Sequence, residues 1–452
     1  MWSKEFVGLK NFYFIGIGGV SMSGLAKLLH HTGYTVSGRD DADGETVKEL
    51  VALGVSVTVG KGEISKNENL KNAHAVVYTN AVPETDEELL YAKKADKKIY
   101  RRAELLKVIS EGFSFVTAIG GSHGKTTCTS MCAHVLKAAG VPFAAHIGGM
   151  DSVFGNFYLT GFDHFVTETC EYKKNVLEMF ADRAILLNID LDHMECYDGE
   201  SDLVNTFRTF CLQAKAAFVC ADDERCAAFK DFVTFGIKNK YADYRATELR
   251  KSGERYSFTV TEYGKELCRV KLKAIGRYNI YNALAALAAM RSYGFDEKEI
   301  VAGLEDFVAV KRRFEVIGGY RGATFICDYA HHPKEISSVV KTARATTKGR
   351  LFVVFQPHTY SRTKLLMNEF LAVLKPLRDL IVYKTYPARE FYDEEGSART
   401  LARKAGNCLY IENSSTLKTY LKRTVKEGDC VLFLGAGDIY YAAKFLLNEL
   451  NR

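Results

Sequence analysis

Short apolar runs alternate with glycine or polar clusters and then with stretches of helical periodicity. Phe113 to Ile119 is such a run and reads as a buried strand. It leads into Gly120-Gly121-Ser122-His123-Gly124-Lys125-Thr126-Thr127, after which Cys128 to Ala139 has helical spacing closed by Gly140 and Pro142. Nearer the start, Asn11 to Ile17 predicts a strand, Gly16 to Ser21 a glycine turn and Met22 to His31 a helix stopped by Gly33. Thr35 to Gly38 is the next strand and ends at Arg39-Asp40-Asp41, completing a β-α-β unit. Ala75 to Tyr78 runs into the turn cluster Thr79-Asn80-Ala81-Val82-Pro83. Strands are expected at Phe165–Thr167, Ala184–Leu187 and Ala217–Cys220, and the alternating stretch Lys238 to Lys273 predicts a small antiparallel sheet. Gly276-Arg277-Tyr278-Asn279 opens an alanine-rich helix from Ile280 to Met290. In the last third, strands at Ala323–Cys327, Leu351–Phe355 and Val431–Leu434 each end in a polar loop. The whole is an α/β chain in three sections, divided near Gly112 and Lys311.

Composition narrows the function classes. At 452 residues with 26% charged side chains, core size sets no limit and the balance is that of a soluble protein. The net charge of +6 is scattered among acids, so no nucleic-acid stripe forms, and the excess suits anionic small molecules. The eleven cysteines show no C-x-x-C pair, which suggests reduced core thiols in a cytoplasmic protein. No apolar run has the length of a membrane span, and no basic-then-apolar leader opens the chain, so membrane insertion is not expected.

The strand–glycine turn–Gly-Lys-Thr–helix order is that of a phosphate-binding loop. In that arrangement Lys125 reaches the outer phosphates and the Thr126 hydroxyl meets a magnesium ion; Ile119 stands where the first glycine of the full pattern belongs. Glu168 and Glu171 follow one strand end, and Asn188-Ile189-Asp190-Leu191-Asp192-His193 follows another. Hard oxygen donors beside a phosphate loop are what magnesium needs. The first glycine turn, with Asp40 after the second strand, fits either NAD or a nucleotide-sugar diphosphate. Thr79, Asn80 and the pair Arg101-Arg102 lie at further strand ends and are either surface groups or ligand contacts. His331 and His332 precede a helix from Pro333; caps account for them better than zinc does.

Taken in order, these segments resemble the Mur ligases. The resemblance rests on Gly16-Ile17-Gly18-Gly19, Gly121 to Thr127, Asn188-Ile189-Asp190 with Asp192-His193, and Gly276-Arg277-Tyr278-Asn279. It continues through Arg312-Arg313-Phe314-Glu315, Asp328-Tyr329-Ala330-His331-His332-Pro333, His358-Thr359-Tyr360-Ser361-Arg362 and Gly435-Ala436-Gly437-Asp438. It implies a Rossmann-like UDP-sugar domain over 1–111, a central P-loop ATPase-like α/β domain over 112–310 and a C-terminal Rossmann-like α/β domain over 311–452. It further implies ATP-dependent, ADP-forming ligation in peptidoglycan synthesis, and so a part in cell shape and division. The substrates would be UDP-N-acetylmuramate, ATP and L-alanine or glycine, which differ by one methyl group worth ~1–3 kcal/mol in an apolar pocket. The implied product is an amide formed through an acyl phosphate, by a monomer or weak dimer.

The resemblance also distributes roles. Gly121, Ser122, His123, Gly124, Lys125, Thr126 and Thr127 would hold ATP phosphates, Asn279 the adenine, Asp328 the ribose, and Arg313 the phosphates or intermediate. Thr126 and Glu168 would bind a first magnesium and His193 a second, with Glu171 joining either. Gly16, Gly18, Gly19, Asp40, Thr79, Asn80, Arg101 and His146 would line the sugar-nucleotide site, and His332 and Arg362 would lie near the incoming amino acid. The usual Glu-Ala-Asp-Glu-Ser-Asp segment is here Glu168-Thr169-Cys170-Glu171-Tyr172-Lys173: both glutamates stay, while Cys170 and Lys173 replace aspartates. Ser21 stands at the usual third glycine of the first turn, and Ser122 at the usual loop threonine. Other readings are a ligase that recycles whole peptides, an NAD-dependent oxidoreductase, and a nucleotide-binding regulator without chemistry.

Overall fold

The computed structural model describes residues 4–61, 63–253, 255–388 and 390–452. Three sheets follow one another along the chain. The first is built from β1 (Asn11–Ile15), β2 (Thr35–Asp40), β3 (Ser56–Val59), β4 (Ala75–Tyr78) and β5 (Lys98–Arg101). Its order is β3-β2-β1-β4-β5, parallel throughout. The order reverses between β1 and β4, and in open α/β sheets ligands bind at such a reversal. β1 is buried on both sides, as a parallel strand must be: Phe12 and Phe14 enter one core, Tyr13 and Ile15 the other.

The second sheet holds β6 (Phe115–Gly120), β7 (Phe143–Asp151), β8 (Gly155–Leu159), β9 (His164–Glu168), β10 (Arg183–Leu186), β11 (Ala216–Cys220), β12 (Val233–Gly236), β13 (Tyr244–Ser252), β14 (Arg255–Glu262) and β15 (Lys265–Lys271). Their order is β15-β14-β13-β12-β11-β10-β6-β9-β7-β8. The antiparallel segment expected over Lys238–Lys273 does form β14 and β15 as an antiparallel pair. It is not a separate sheet, however, because β13 pairs in parallel with β12 and carries the hairpin as an extension of the main sheet. Alternation along a strand reports which face is wet, and holds no information about which neighbour it joins.

The third sheet comprises β16 (Glu315–Tyr320), β17 (Ala323–Asp328), β18 (Leu351–Phe355), β19 (Asp379–Tyr383), β20 (Cys408–Ile411) and β21 (Cys430–Leu434), in the order β16-β17-β21-β18-β19-β20. Only β16 runs antiparallel to its neighbour; β17, β21, β18, β19 and β20 are parallel.

These elements group into two compact units. One comprises Met1–Arg250, Ser257–Lys273 and Asn279–Val308; the other comprises Lys251–Tyr256, Ala274–Tyr278 and Ala309–Arg452. Within the first unit, a single apolar core runs from Phe12 of the first sheet and Leu25 of the helix beside it to Phe165 of the second sheet and Phe207 of the helix Glu200–Leu212. The helix Val20–His31 packs directly on β7 and β8 there. A Cβ at Gly24 would stand 2.9 Å from His146 Cδ2 and 3.2 Å from the Asn156 carbonyl, so glycine sets that close approach. Lys27 Nζ bridges the same seam, donating to Asn156 Oδ1 at 2.7 Å and Glu49 Oε2 at 2.6 Å. Among the described residues no helix is long and apolar enough to cross a membrane.

Candidate functional site

β6 lies between β10 and β9, and its C-terminal end opens into Gly121–Gly124 and then the helix Lys125–Ala138. Gly121 has φ +125°, and a Cβ there would come within 3.0 Å of the Asn188 carbonyl. Gly124 has φ +85°, and a Cβ would lie 2.6 Å from Asn282 Oδ1. Both positions demand glycine. Asn188, just past β10, clamps the loop: its Oδ1 accepts from His123 N–H at 2.9 Å and its Nδ2 donates to the His123 carbonyl at 3.0 Å. Asp190 N–H donates to Ser122 Oγ at 2.7 Å, and Asp190 Oδ2 lies 3.0 Å from His123 Nε2. The first-turn amides of the helix have no intrahelical acceptors, which gives this end its affinity for anions.

Lys125 is folded back over the loop. Its Nζ donates to the Gly121 carbonyl at 2.5 Å and to both Glu171 oxygens at 2.9 and 3.1 Å. Burial works against the ammonium charge, yet Glu171 outweighs it and holds the lysine above its ordinary range. Thr126 Oγ1 donates to Glu168 Oε2 at 3.0 Å. Glu168 in turn rests on Gly148, where a Cβ would fall 1.7 Å from Oε1. Glu171, Asp192 and His193 bring one ligand atom each to within 4.8 Å of one another. The donor chemistry suits magnesium: a threonine hydroxyl, three carboxylates and an imidazole around a phosphate loop. Asp192 belongs to the strand-end segment whose acids suit magnesium, but the resemblance assigns it no ligand place of its own. The backbone brings it in, with His193 at φ +56° turning the loop back towards Glu171. Asn279 is buried at the start of its helix, where its Oδ1 accepts from Asn282 Nδ2 at 3.0 Å.

The first glycine turn is spoken for by its own chain. Gly16 and Ile17 N–H both donate to the Arg39 carbonyl, at 2.8 and 3.0 Å, and Gly19 N–H donates to the Gly16 carbonyl at 3.3 Å. Gly18 N–H donates to Asp40 Oδ2 at 2.8 Å, so this carboxylate braces the turn. Thr79 and Asn80 begin the turn after β4, with the Thr79 carbonyl accepting from Val82 N–H at 2.8 Å. Arg101 is consumed by Glu104, at 2.6 and 2.8 Å, and by Glu178 at 3.2 Å. Its neighbour Arg102 instead reaches Ser21 Oγ at 3.1 Å. His146 is buried in the seam. Its Nε2 lies 3.1 Å from both the carbonyl and Oγ of Ser21, and its Nδ1 lies 3.0 Å from Thr167 Oγ1. A neutral ring with its hydrogen on Nε2 satisfies both sides.

Burial, with Arg102 nearby, pushes the His146 imidazole down to about 4 from an ordinary 6.5. The unfolded chain therefore takes up this proton first as pH falls. His146 contributes stability that is complete above pH 6.5 and is lost towards pH 4, roughly 3 kcal/mol in all. The urea midpoint of the wild type should drop over this window, and that of His146→Gln should drop less steeply. Equal slopes would show that His146 does not carry the effect.

In the second unit, Asp328 ends β17 with its carboxylate turned inward. Oδ2 accepts from Phe314 N–H at 2.7 Å and Oδ1 from Ala330 N–H at 2.8 Å. Burial raises the Asp328 carboxyl to about 6, partly offset by Arg313. Arg313 lies over the Tyr329 ring, 5.0 Å from its centroid, and Arg312 lies 4.7 Å from the same centroid. His332 is buried at the cap of the helix Pro333–Thr346, where Glu335 accepts the N–H groups of His331 and His332 at 3.0 and 3.2 Å. Arg362, on the helix Tyr360–Leu365, has a guanidinium nitrogen 3.3 Å from His358 Nδ1. The His358 ring is stacked on Tyr386 at 5.4 Å and meets His331 at 5.7 Å.

Family models match in chain order: "Mur ligase family, catalytic domain" over residues 11–114, "Mur ligase middle domain" over 119–290, and "Mur ligase, glutamate ligase domain" over 312–437. The chain is 36% identical over 451 residues to UDP-N-acetylmuramate–L-alanine ligase of Clostridium novyi, covering 97% of each. It is 37% identical to the Clostridium tetani enzyme of the same name, covering 97% of this chain and 98% of the relative. The crystal structure of UDP-N-acetylmuramate–alanine ligase MurC from Thermotoga maritima superposes with a TM-score of 0.83 at 27% identity, over 98% of this chain and 99% of that one. A murein peptide ligase from Psychrobacter arcticus shares the fold at a TM-score of 0.77 and 22% identity, over 98% and 99%. With all three models matched in order and such relatives aligned end to end, the chain belongs to the Mur ligase family.

Proposed function

We propose that the chain is a cytoplasmic UDP-N-acetylmuramate–L-alanine ligase that spends ATP to join the muramoyl carboxylate to the amine of L-alanine. The observation that carries this reading is the assembly at the end of β6. There Lys125 and Thr126 already touch two carboxylates, Glu171 just after β9 and Glu168 at its end, in a chain whose near relatives bear that name over their whole length.

A carboxylate is a poor acyl donor, and phosphorylation gives it a leaving group. In the proposed reaction its oxygen attacks the γ-phosphorus of ATP, releasing ADP. The amine nitrogen then attacks the acyl carbon, the C–O bond to phosphate breaks, and the amine proton is lost. Lys125 leaves Glu171 and takes up phosphate charge, and the helix Lys125–Ala138 presents its first amides to the same oxygens. Thr126, Glu168, Glu171, Asp192 and His193 would hold magnesium, which supplies charge neutralisation for phosphoryl transfer. Arg362 pairs the carboxylate of the amino acid as a planar fork, with the His358 ring beside it.

Purified protein given UDP-N-acetylmuramate, ATP, magnesium and L-alanine should release phosphate, and should not do so with a tripeptide acceptor. Release only with the tripeptide would transfer the reading to peptide recycling. Arg362→Ala should raise the KM for alanine at least tenfold while leaving the KM for ATP within a factor of two. An unchanged alanine KM would remove Arg362 from that role.

A further inference from the structure

The sugar-nucleotide substrate carries oxyanions, and the first sheet must supply something to meet them. The expected donors there are committed elsewhere. Every N–H from Gly16 to Gly19 already has an acceptor in the chain itself. Asp40 is a carboxylate bound to Gly18, and Arg101 is neutralised by two glutamates.

Arg102 differs. It is half-buried, and among the described residues no carboxylate pairs with it; the bond its guanidinium makes is to the neutral Ser21 hydroxyl at 3.1 Å. Ser21 is itself held by the buried His146, whose ring is fixed by Thr167, the residue before Glu168. The arginine thus lies between the first glycine turn and the strand end that carries Glu168. It lines a small cleft with Thr169, Cys170, Asn175 and Glu178. Glu178 is spent on Arg101, and Cys170 is a free cysteine. A guanidinium fork presents five N–H donors, and one bond to a hydroxyl leaves it short of the charge-assisted pair it favours.

We propose that Arg102 receives an oxyanion of the sugar-nucleotide substrate, with Ser21 holding the guanidinium in place beforehand. This inference rests on the ligase reading for the identity of the substrate. It reassigns the anion contact from Arg101 to Arg102, and it gives Ser21, which stands where a glycine is usual, a positioning role.

The test compares wild type, Arg102→Gln, Arg102→Lys and Ser21→Gly. Arg102→Gln should raise the KM for UDP-N-acetylmuramate at least tenfold and leave the KM for ATP and the melting temperature nearly unchanged. Arg102→Lys should recover part of that affinity, and Ser21→Gly should raise the same KM a few-fold. An effect spread equally over the KM for ATP, or none on the sugar nucleotide, overturns the proposal. Direct titration with UDP-N-acetylmuramate and UDP-N-acetylglucosamine separates the two sources of the oxyanion. A loss confined to the first identifies the lactyl carboxylate, and a loss shared by both identifies the diphosphate. Titration also keeps the tests apart: a wild type that makes no ADP defeats the ligase reading, while equal sugar-nucleotide binding by wild type and Arg102→Gln defeats this one.

Discussion

Replacing Lys125 by alanine should abolish turnover, lowering kcat by about 10³-fold or more, and should also loosen the fold. The two effects have different origins. The first follows from removing a preorganised cation from a site where phosphoryl charge moves, a loss of ~3–4 kcal/mol or more. The second follows from Glu171, which is buried and has both oxygens on Lys125. Stripping one partner from a buried ion pair typically costs ~3–5 kcal/mol, because the remaining charge is left in low dielectric. The double variant Lys125→Met/Glu171→Gln should therefore regain much of the melting temperature while staying inactive. A Lys125→Ala protein that turns over within tenfold of wild type would remove the phosphate role. A double variant no more stable than the single one would remove the account of the pair.

Gly148→Ala should separate activity from stability in the opposite sense. The new Cβ would lie 1.7 Å from Glu168 Oε1 and 2.5 Å from its Cδ. Gly148 does not need the left-handed conformation, so the backbone accepts alanine. The clash falls on the end of a flexible side chain, which swings away at small cost to the fold. It cannot swing away without leaving Thr126. We expect a melting temperature close to wild type, at least a tenfold rise in the magnesium concentration for half-activity, and a fall in kcat of roughly 10²-fold. An unchanged magnesium dependence would show that Glu168 does not hold the ion.

The phosphate loop was legible because its signal is local: apolar run, glycines, Gly-Lys-Thr and helix lie side by side in sequence, and positive φ at Gly121 and Gly124 explains the glycines. The parallel sheets were legible for a similar reason, since each apolar strand ends in a polar loop. What could not be read was which partner each polar side chain takes. Asp40 and Asp328 stand at strand ends, where an acid can hold a ribose, yet both turn onto backbone N–H groups of neighbouring turns. Arg101 and Arg102 are adjacent and chemically identical. Only the helix geometry puts Glu104 on the first and Ser21 near the second. Asp192 joins Glu171 and His193 through folding of a loop, and no spacing rule encodes that. The β13–β15 extension depended on a pairing with β12 that alternation leaves open.

The seam at Gly24 and Lys27 makes the first two sheets a poor place to cut the gene. A protein trimmed after the first sheet would leave an ammonium group without Asn156 and would bare the helix face that lies against His146. The mirror fragment, starting at the phosphate loop, would lose the serine that steadies the imidazole. Sequence boundaries drawn between sheets thus mark where homology changes character, while the piece of matter that holds its shape here is larger than either half.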